Sequence, residues 1–116
     1  MNKRKTGGEA EAKAVRFLCD NGVKILKRNF YTRGGEVDII GLHDGYVVFF
    51  EVKFRTDDRC GDPAEAVDSY KKRHIVYAAK YYLYKKHYPV ETPVRFDVIA
   101  ITGDNYNWIK NAFECC

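Results

Sequence analysis

Apolar positions recur at helical spacing in two stretches of this chain and fall into strand-like runs in four others. From about Gly8 to Asp20, Ala14, Val15 and Leu18 form one stripe, widened by Ala10 and Phe17, and Asn21-Gly22 stops the helix. Val23 to Thr32 reads as a strand interrupted by Lys24, Lys27 and Arg28, and Arg33-Gly34-Gly35 reads as a turn. Glu36 to Leu42 and Tyr46 to Phe54 flank Asp44-Gly45, a strong two-residue hairpin signal. After an irregular stretch from Arg55 to Pro63, Asp62 suits an N-cap and Pro63 a first helical position. That helix should reach about His87, with Val67, Lys71, Ile75, Ala78, Ala79 and Tyr82 on its inner stripe and Pro89 ending it. Val94 to Thr102 forms a fourth strand. Gly103-Asp104-Asn105 turns into a short terminal element, Tyr106 to Phe113, carrying Trp108. The order is α-β-β-β-α-β with a tail, an α/β class without repeats or linkers.

The hairpin places its charges in an unusual way. If Asp44-Gly45 is the turn, Asp38 stands opposite Glu51, Glu36 opposite Lys53, and Ile40 opposite Phe49. Two carboxylates directly opposed across a ladder repel, an arrangement that makes sense with a divalent cation between them. An ordinary solvated strand face with Glu–Lys cross-strand pairing would use the same residue types. In the first helix, Glu11 precedes Ala14, Val15 and Leu18 by helical steps and so shares their stripe, whereas Glu9 lines up with Lys13. An acid aimed at a core needs a partner or a metal, although an acid near a helix start also favours the macrodipole. Lys71 sits between Val67 and Ile75 on the second stripe, as a snorkelling stem or as an inward cation. Acids and lysines from four elements thus converge, the pattern of a functional-site candidate.

Composition adjusts this picture modestly. At 116 residues the chain suits one domain, residues 1–116, and 46% hydrophobic with 15% aromatic content is not that of a disordered chain. A formal charge of +4 permits a polyanionic partner. Arg33, Arg55, Arg59, Lys72 and Arg73 are cations suited to phosphate, or else a solvated helix and loop surface. Tyr77, Tyr81, Tyr82 and Tyr84 read mainly as core and rim, with base stacking open to one of them. No run approaches membrane-spanning length, and the basic start leads into Thr6-Gly7-Gly8-Glu9 rather than an apolar segment, so we expect a cytoplasmic protein without a membrane partner. Cys19, Cys60, Cys115 and Cys116 lack zinc-like spacing and read as reduced thiols, and the three histidines are scattered.

Asp38 followed by Glu51-Val52-Lys53 resembles the PD-(D/E)-x-K motif of restriction-endonuclease-like proteins. Gly35-Glu36-Val37-Asp38-Ile39-Ile40, Val48 to Arg55, Arg95 to Ala100 and Trp108 to Phe113 together resemble the YraN-like family of small bacterial proteins, over nearly the whole chain. That family is regarded as endonuclease-like and similar in fold to archaeal Holliday-junction resolvases. The resemblance implies a restriction-endonuclease-like α-β-β-β-α-β core, a mixed sheet flanked by helices, with Mg²⁺ or Mn²⁺, a DNA substrate and room for a homodimer. It carries the metal ligands onto Asp38 and Glu51, with the Val52 carbonyl as a third, the motif lysine onto Lys53 and the helix-one acid onto Glu11. The family's Lys-Gln pair falls on Lys71-Lys72, so Lys72 departs from the pattern, as does Ala10 where Gly is common. Asp97 matches a family position without a site role, and pairing with Arg95 is its plain reading. The expectation is a Mg²⁺-dependent endonuclease acting on DNA, branched or junction DNA included. Glu11, Asp38, Glu51 and Lys53 would be its catalytic group, and Arg33, Arg55, Lys71, Lys72 and Arg73 its nucleic-acid contacts. A non-catalytic nucleic-acid-binding or partner-binding module on the same fold is the alternative.

Overall fold

Asp44 and Gly45 both adopt positive φ, 51° and 82°, the backbone sign of the turn that matches strand twist. They close the central hairpin of a computed structural model that describes residues 3–55 and 69–113. The element order is α1 (Lys3–Asp20), β1 (Lys24–Thr32), β2 (Gly35–His43), β3 (Tyr46–Arg55), α2 (Ser69–Lys85), β4 (Val94–Thr102) and β5 (Asn105–Phe113). The strands form one sheet in chain order. Every neighbouring pair is antiparallel except β3 and β4, which run parallel. A parallel pair needs a crossover, and α2 lies within that connection, running back from the carboxyl end of β3 to the start of β4.

Two apolar clusters sit on opposite faces of the sheet. One joins Ile75, Ala78, Ala79 and Tyr82 of α2 to Ile40, Val47, Phe49, Phe96 and Val98. The other joins Ala14 and Leu18 of α1 to Ile39, Val48, Phe50, Ile99 and Ile101. Phe49 and Phe50 are therefore both fully buried on opposite sides, as strand alternation requires of a strand covered on both faces.

Two boundaries differ from expectation. α1 begins at Lys3 rather than near Gly8. Gly7 and Gly8 lower helix stability by about 1 kcal/mol each without ending a helix already formed. The terminal element is a full nine-residue strand, paired with β4 from Thr102↔Asn105 to Phe96↔Phe113. The expected cap at Asp62 and start at Pro63, with Val67, lie outside the described residues.

Asp97 explains why the last strand holds. It is 0% exposed and accepts Arg95 Nε at 3.0 Å and Nη2 at 2.8 Å, Trp108 Nε1 at 2.8 Å and the Asn111 N–H at 2.8 Å. Those partners belong to β4 and β5 and surround the register shift between Phe96 and Val98. Arg95 also donates to His43 Nδ1 at 3.0 Å and lies over the Tyr46 ring. Asp97 is thus an anchor for β5, and its pairing with Arg95 is part of a larger network. Asp97→Ala leaves a buried guanidinium uncompensated and should cost about 3–5 kcal/mol in urea unfolding. A loss below about 1 kcal/mol would show that the network does not hold β5.

Candidate active site

The β2–β3 ladder follows the predicted register from His43↔Tyr46 through Ile40↔Phe49 to Ile39↔Phe50, and there it stops. Asp38 and Glu51 come next on each strand. Instead of a backbone pair, the Asp38 carboxylate enters the opening and accepts the Val52 N–H on Oδ2 at 2.8 Å. The expected opposition of Asp38 and Glu51 is thus replaced by a side chain bridging two diverging strands. Glu36, expected opposite Lys53, is exposed and lines a groove beside α2. β1 shares in the irregularity. Asn29 has φ 52°, a left-handed conformation that Asn tolerates, between the pairs Arg28↔Ile39 and Phe30↔Val37. Val37 packs with the α2-side cluster and Ile39 with the α1-side cluster, so strict alternation breaks at Asp38.

Glu51 is the deepest acid of the site, 3% exposed. Its Oε1 meets Lys71 Nζ at 2.6 Å and Lys53 Nζ at 3.6 Å. Lys71 reaches it because the crossover brings the start of α2 to the carboxyl end of β3. α2 in turn lies close to the β1–β2 turn because Gly35 has no side chain: a Cβ there would run into the His74 carbonyl oxygen.

Burial and the nearby Glu51 charge push the Asp38 carboxyl up to about 7, against a lowering hydrogen bond from Val52. Glu11, half-buried on α1, is also raised, chiefly by burial, while a hydrogen bond from Asn29 and the charge of Arg28 pull it down. With its amide turned to donate, Asn29 Nδ2 reaches Glu11 Oε1 at 2.5 Å and Oε2 at 3.1 Å. Burial works against the Lys71 ammonium, but its hydrogen bond to Glu51 and the charges of Glu51 and Asp38 outweigh that and raise it.

The structure therefore brings Asp38, Glu51, Lys53 and Lys71 together and sets Glu11 beside them on Asn29. Among the described residues, no three His, Cys, Asp or Glu side chains form a metal-holding group. A cation here would take the Asp38 and Glu51 carboxylates and fill its remaining positions with other oxygens. Val52 could supply one, since the N–H and C=O of a strand residue project to the same edge. This oxygen donor set fits Mg²⁺ or Mn²⁺.

Of the expected phosphate contacts, Arg33 lines the groove beside Lys71, and Arg73 is exposed on α2. Lys72 turns the other way, its Nζ 5.7 Å from the centre of the Phe113 ring. The side chain of Arg55, like Arg59, Cys60, Cys115 and Cys116, lies outside what is described, and Cys19 is a free, exposed thiol. Sequence reasoning missed Asn29, which follows Lys27 and Arg28 in a strand already interrupted by charged residues and so gave no distinct signal. It also missed Tyr31, Tyr70 and His74, which line the same groove.

A mixed sheet with buried acids at the carboxyl end of a strand and a crossover helix supplying a lysine defines an α/β protein with a strand-end site. The chain belongs to the UPF0102 family, the YraN-like group: the profile of "Uncharacterised protein family UPF0102" matches residues 10–101. It is 44% identical over 114 residues to a UPF0102 protein of Lachnoclostridium phytofermentans, covering 98% of this chain and 97% of the relative. It is 40% identical over 116 residues to one of Marinobacter nauticus (96% and 94% covered) and 40% over 111 residues to one of Fusobacterium nucleatum (96% and 92%). No helix among the described residues is long and apolar enough to cross a membrane.

The raised Asp38 carboxyl has a measurable consequence. Between its ordinary value of 3.8 and about 7, the folded chain keeps a proton at Asp38 that the unfolded chain has lost. Stability therefore falls as pH rises through that window, and above it Asp38 is a net cost to folding. In metal-free protein, Asp38→Asn should raise the unfolding free energy at pH 8 and change it little near pH 4. An equal effect at both pH values, or a loss at pH 8, would contradict the assignment.

Proposed function

We propose that this protein is a metal-dependent endonuclease that hydrolyses phosphodiester bonds in DNA. The observation that carries the reading is the pair of Asp38 and Glu51 at the end of the β2–β3 ladder, with Lys53 and Lys71 both reaching Glu51 Oε1. A buried acid pair next to two cations and an open groove suits phosphoryl chemistry better than it suits stability. The resemblance to the PD-(D/E)-x-K pattern, with Asp38 and Glu51-Val52-Lys53 in its motif positions, supports the same conclusion.

Asp38 and Glu51 would hold Mg²⁺ or Mn²⁺ together with the Val52 carbonyl. When bound, the cation lowers the pKa of water and stabilises charge on the reacting phosphate. The Lys53 ammonium, 3.6 Å from Glu51 Oε1, can hold the attacking water by its oxygen as it approaches phosphorus. Lys71, 2.6 Å from the same oxygen, would contact a non-bridging phosphate oxygen of the bound substrate. The water oxygen forms the new bond to phosphorus as the bond to the leaving sugar oxygen breaks; the water gives up a proton to solvent, and the sugar oxygen takes one from solvent to leave as a hydroxyl. Glu11, held by Asn29, would complete the acidic shell directly or through water. A junction substrate would require two such sites and therefore a homodimer, and a cytoplasmic location goes with this reading.

Purified protein with Mg²⁺ or Mn²⁺ should nick or cleave structured DNA. Glu51→Ala and Lys53→Ala should each reduce the rate by at least about 100-fold while the far-ultraviolet spectrum stays unchanged, given what positioned acid–base groups contribute. DNA binding without any metal-dependent product from duplex, junction, flap or single-stranded substrates would overturn the catalytic reading in favour of a binding module. So would cleavage that survives both substitutions.

A further inference from the structure

The outer surface of α2 is organised in a way that neither the core nor the acid site requires. The helix, Ser69–Lys85, has no Asp or Glu, and besides Lys71 in the acid site and Lys72 over Phe113 it carries Arg73, Lys80 and Lys85, all exposed. Tyr70, His74, Tyr77, Tyr81 and Tyr84 follow one another at steps of four, three, four and three. At 3.6 residues per turn they fall within an arc of about 80°. The core residues Ile75, Ala78, Ala79 and Tyr82 occupy the adjoining face. Tyr70 is 65% exposed, Tyr77 53% and Tyr84 82%.

These rings have supports. His74 Nδ1–H donates to the Tyr70 carbonyl at 2.7 Å and its ring lies 4.0 Å from that of Tyr70. Tyr77 lies over Gly34, where a Cβ would come within 2.7 Å of the ring. Tyr81 sits 6.2 Å from Phe30. Several rings are thus backed by protein and still offer surface to solvent. At the amino end of the row, Tyr70, Lys71 and His74 face Tyr31 and Arg33 across a groove of about 420 Å³. Lys71 links that groove to Glu51. The aromatic row therefore begins where the acid pair is reached.

We propose that this row binds an unpaired DNA strand and leads it into the groove. Bases would stack on Tyr70, Tyr77 and Tyr84, with Arg33, Arg73 and Lys80 meeting phosphates. The charge of α2 calls for a polyanion, and the exposed rings call for free π-faces. An unpaired strand offers both, while a duplex keeps its base faces stacked inside. From residue 70 to residue 84 the helix rises about 21 Å, long enough to meet several consecutive nucleotides. Combined with the nuclease reading, on which this part rests, the substrate is DNA with an unpaired segment next to the scissile bond, such as a flap, fork or gap.

Binding can be tested without cleavage, by fluorescence anisotropy in EDTA at low salt. The probes are a labelled thymidine oligonucleotide of about 12 nucleotides, on the scale of single-strand sites, and a blunt duplex of equal length. Wild type should bind the single strand more tightly than the duplex. Tyr70→Ala and Tyr77→Ala should each weaken single-strand binding about tenfold or more and leave duplex binding unchanged, whereas the Phe substitutions should keep it. Tyr84→Ala, at the most exposed ring, provides a variant with no bearing on folding and should act in the same direction. Equal affinity for the two probes, unchanged binding in the Ala variants, or Phe variants as weak as Ala variants would each overturn the proposal. So would a Tyr84→Ala effect confined to self-association in sedimentation. A protein that prefers single strands in EDTA but cuts nothing with metal contradicts the nuclease reading alone. One that cuts without that preference contradicts this proposal alone.

Discussion

The fold converges on one electrostatic constraint: two carboxylates, Asp38 and Glu51, held near each other where the central ladder ends. In a chain selected only for stability that position would be filled by another cross-strand pair or an apolar contact. Here the β-ladder stops at Ile39↔Phe50 and a side chain takes the next backbone donor. Several irregularities gather around that point. Asn29 takes a left-handed conformation in β1, the alternation of β2 breaks between Val37 and Ile39, and Gly35 permits α2 to approach the turn. Lys71 offsets part of the charge at 2.6 Å, yet burial and the Glu51 charge keep the Asp38 carboxyl raised to about 7. A site left partly uncompensated in this way is suited to a further cation.

Much of this was legible in the chain because it rests on periodicity. Asp44-Gly45 set the register of β2 against β3, and every observed pair obeys it. Helical phase alone placed Glu11 and Lys71 toward the interior, and both meet other charged or polar groups there. What periodicity could not show was where the ladder would end, since that depends on Asp38 competing with backbone for one N–H. It could not show that Glu11 would be met by Asn29, because that contact depends on a single positive φ. The full extent of β5 was hidden for a related reason. Its sequence, Asn105–Phe113, is weakly apolar, and its attachment depends on Asp97 drawing Trp108 and Asn111 onto β4.

α2 shows how one helix can serve two surfaces. Its inner stripe supplies Ile75, Ala78, Ala79 and Tyr82 to the core, and its outer row is cationic and aromatic. Tyrosines read along the sequence as core or rim separate by phase once the helix is docked: Tyr82 is buried while Tyr77 and Tyr84 are not. Lys71 and Lys72, adjacent in sequence, part in the same way, one to Glu51 and the other over Phe113. A single rotation of about 100° per residue decides which chemistry each one joins.

The most direct test is the carboxyl titration of Asp38 followed by nuclear magnetic resonance, without metal and with saturating Mg²⁺. Without metal Asp38 should titrate near 7, and with Mg²⁺ it should fall by several pH units, because the cation replaces the missing compensation. A titration near 3.8 in metal-free protein, or one that Mg²⁺ does not move, would contradict the proposal that this pair receives a cation.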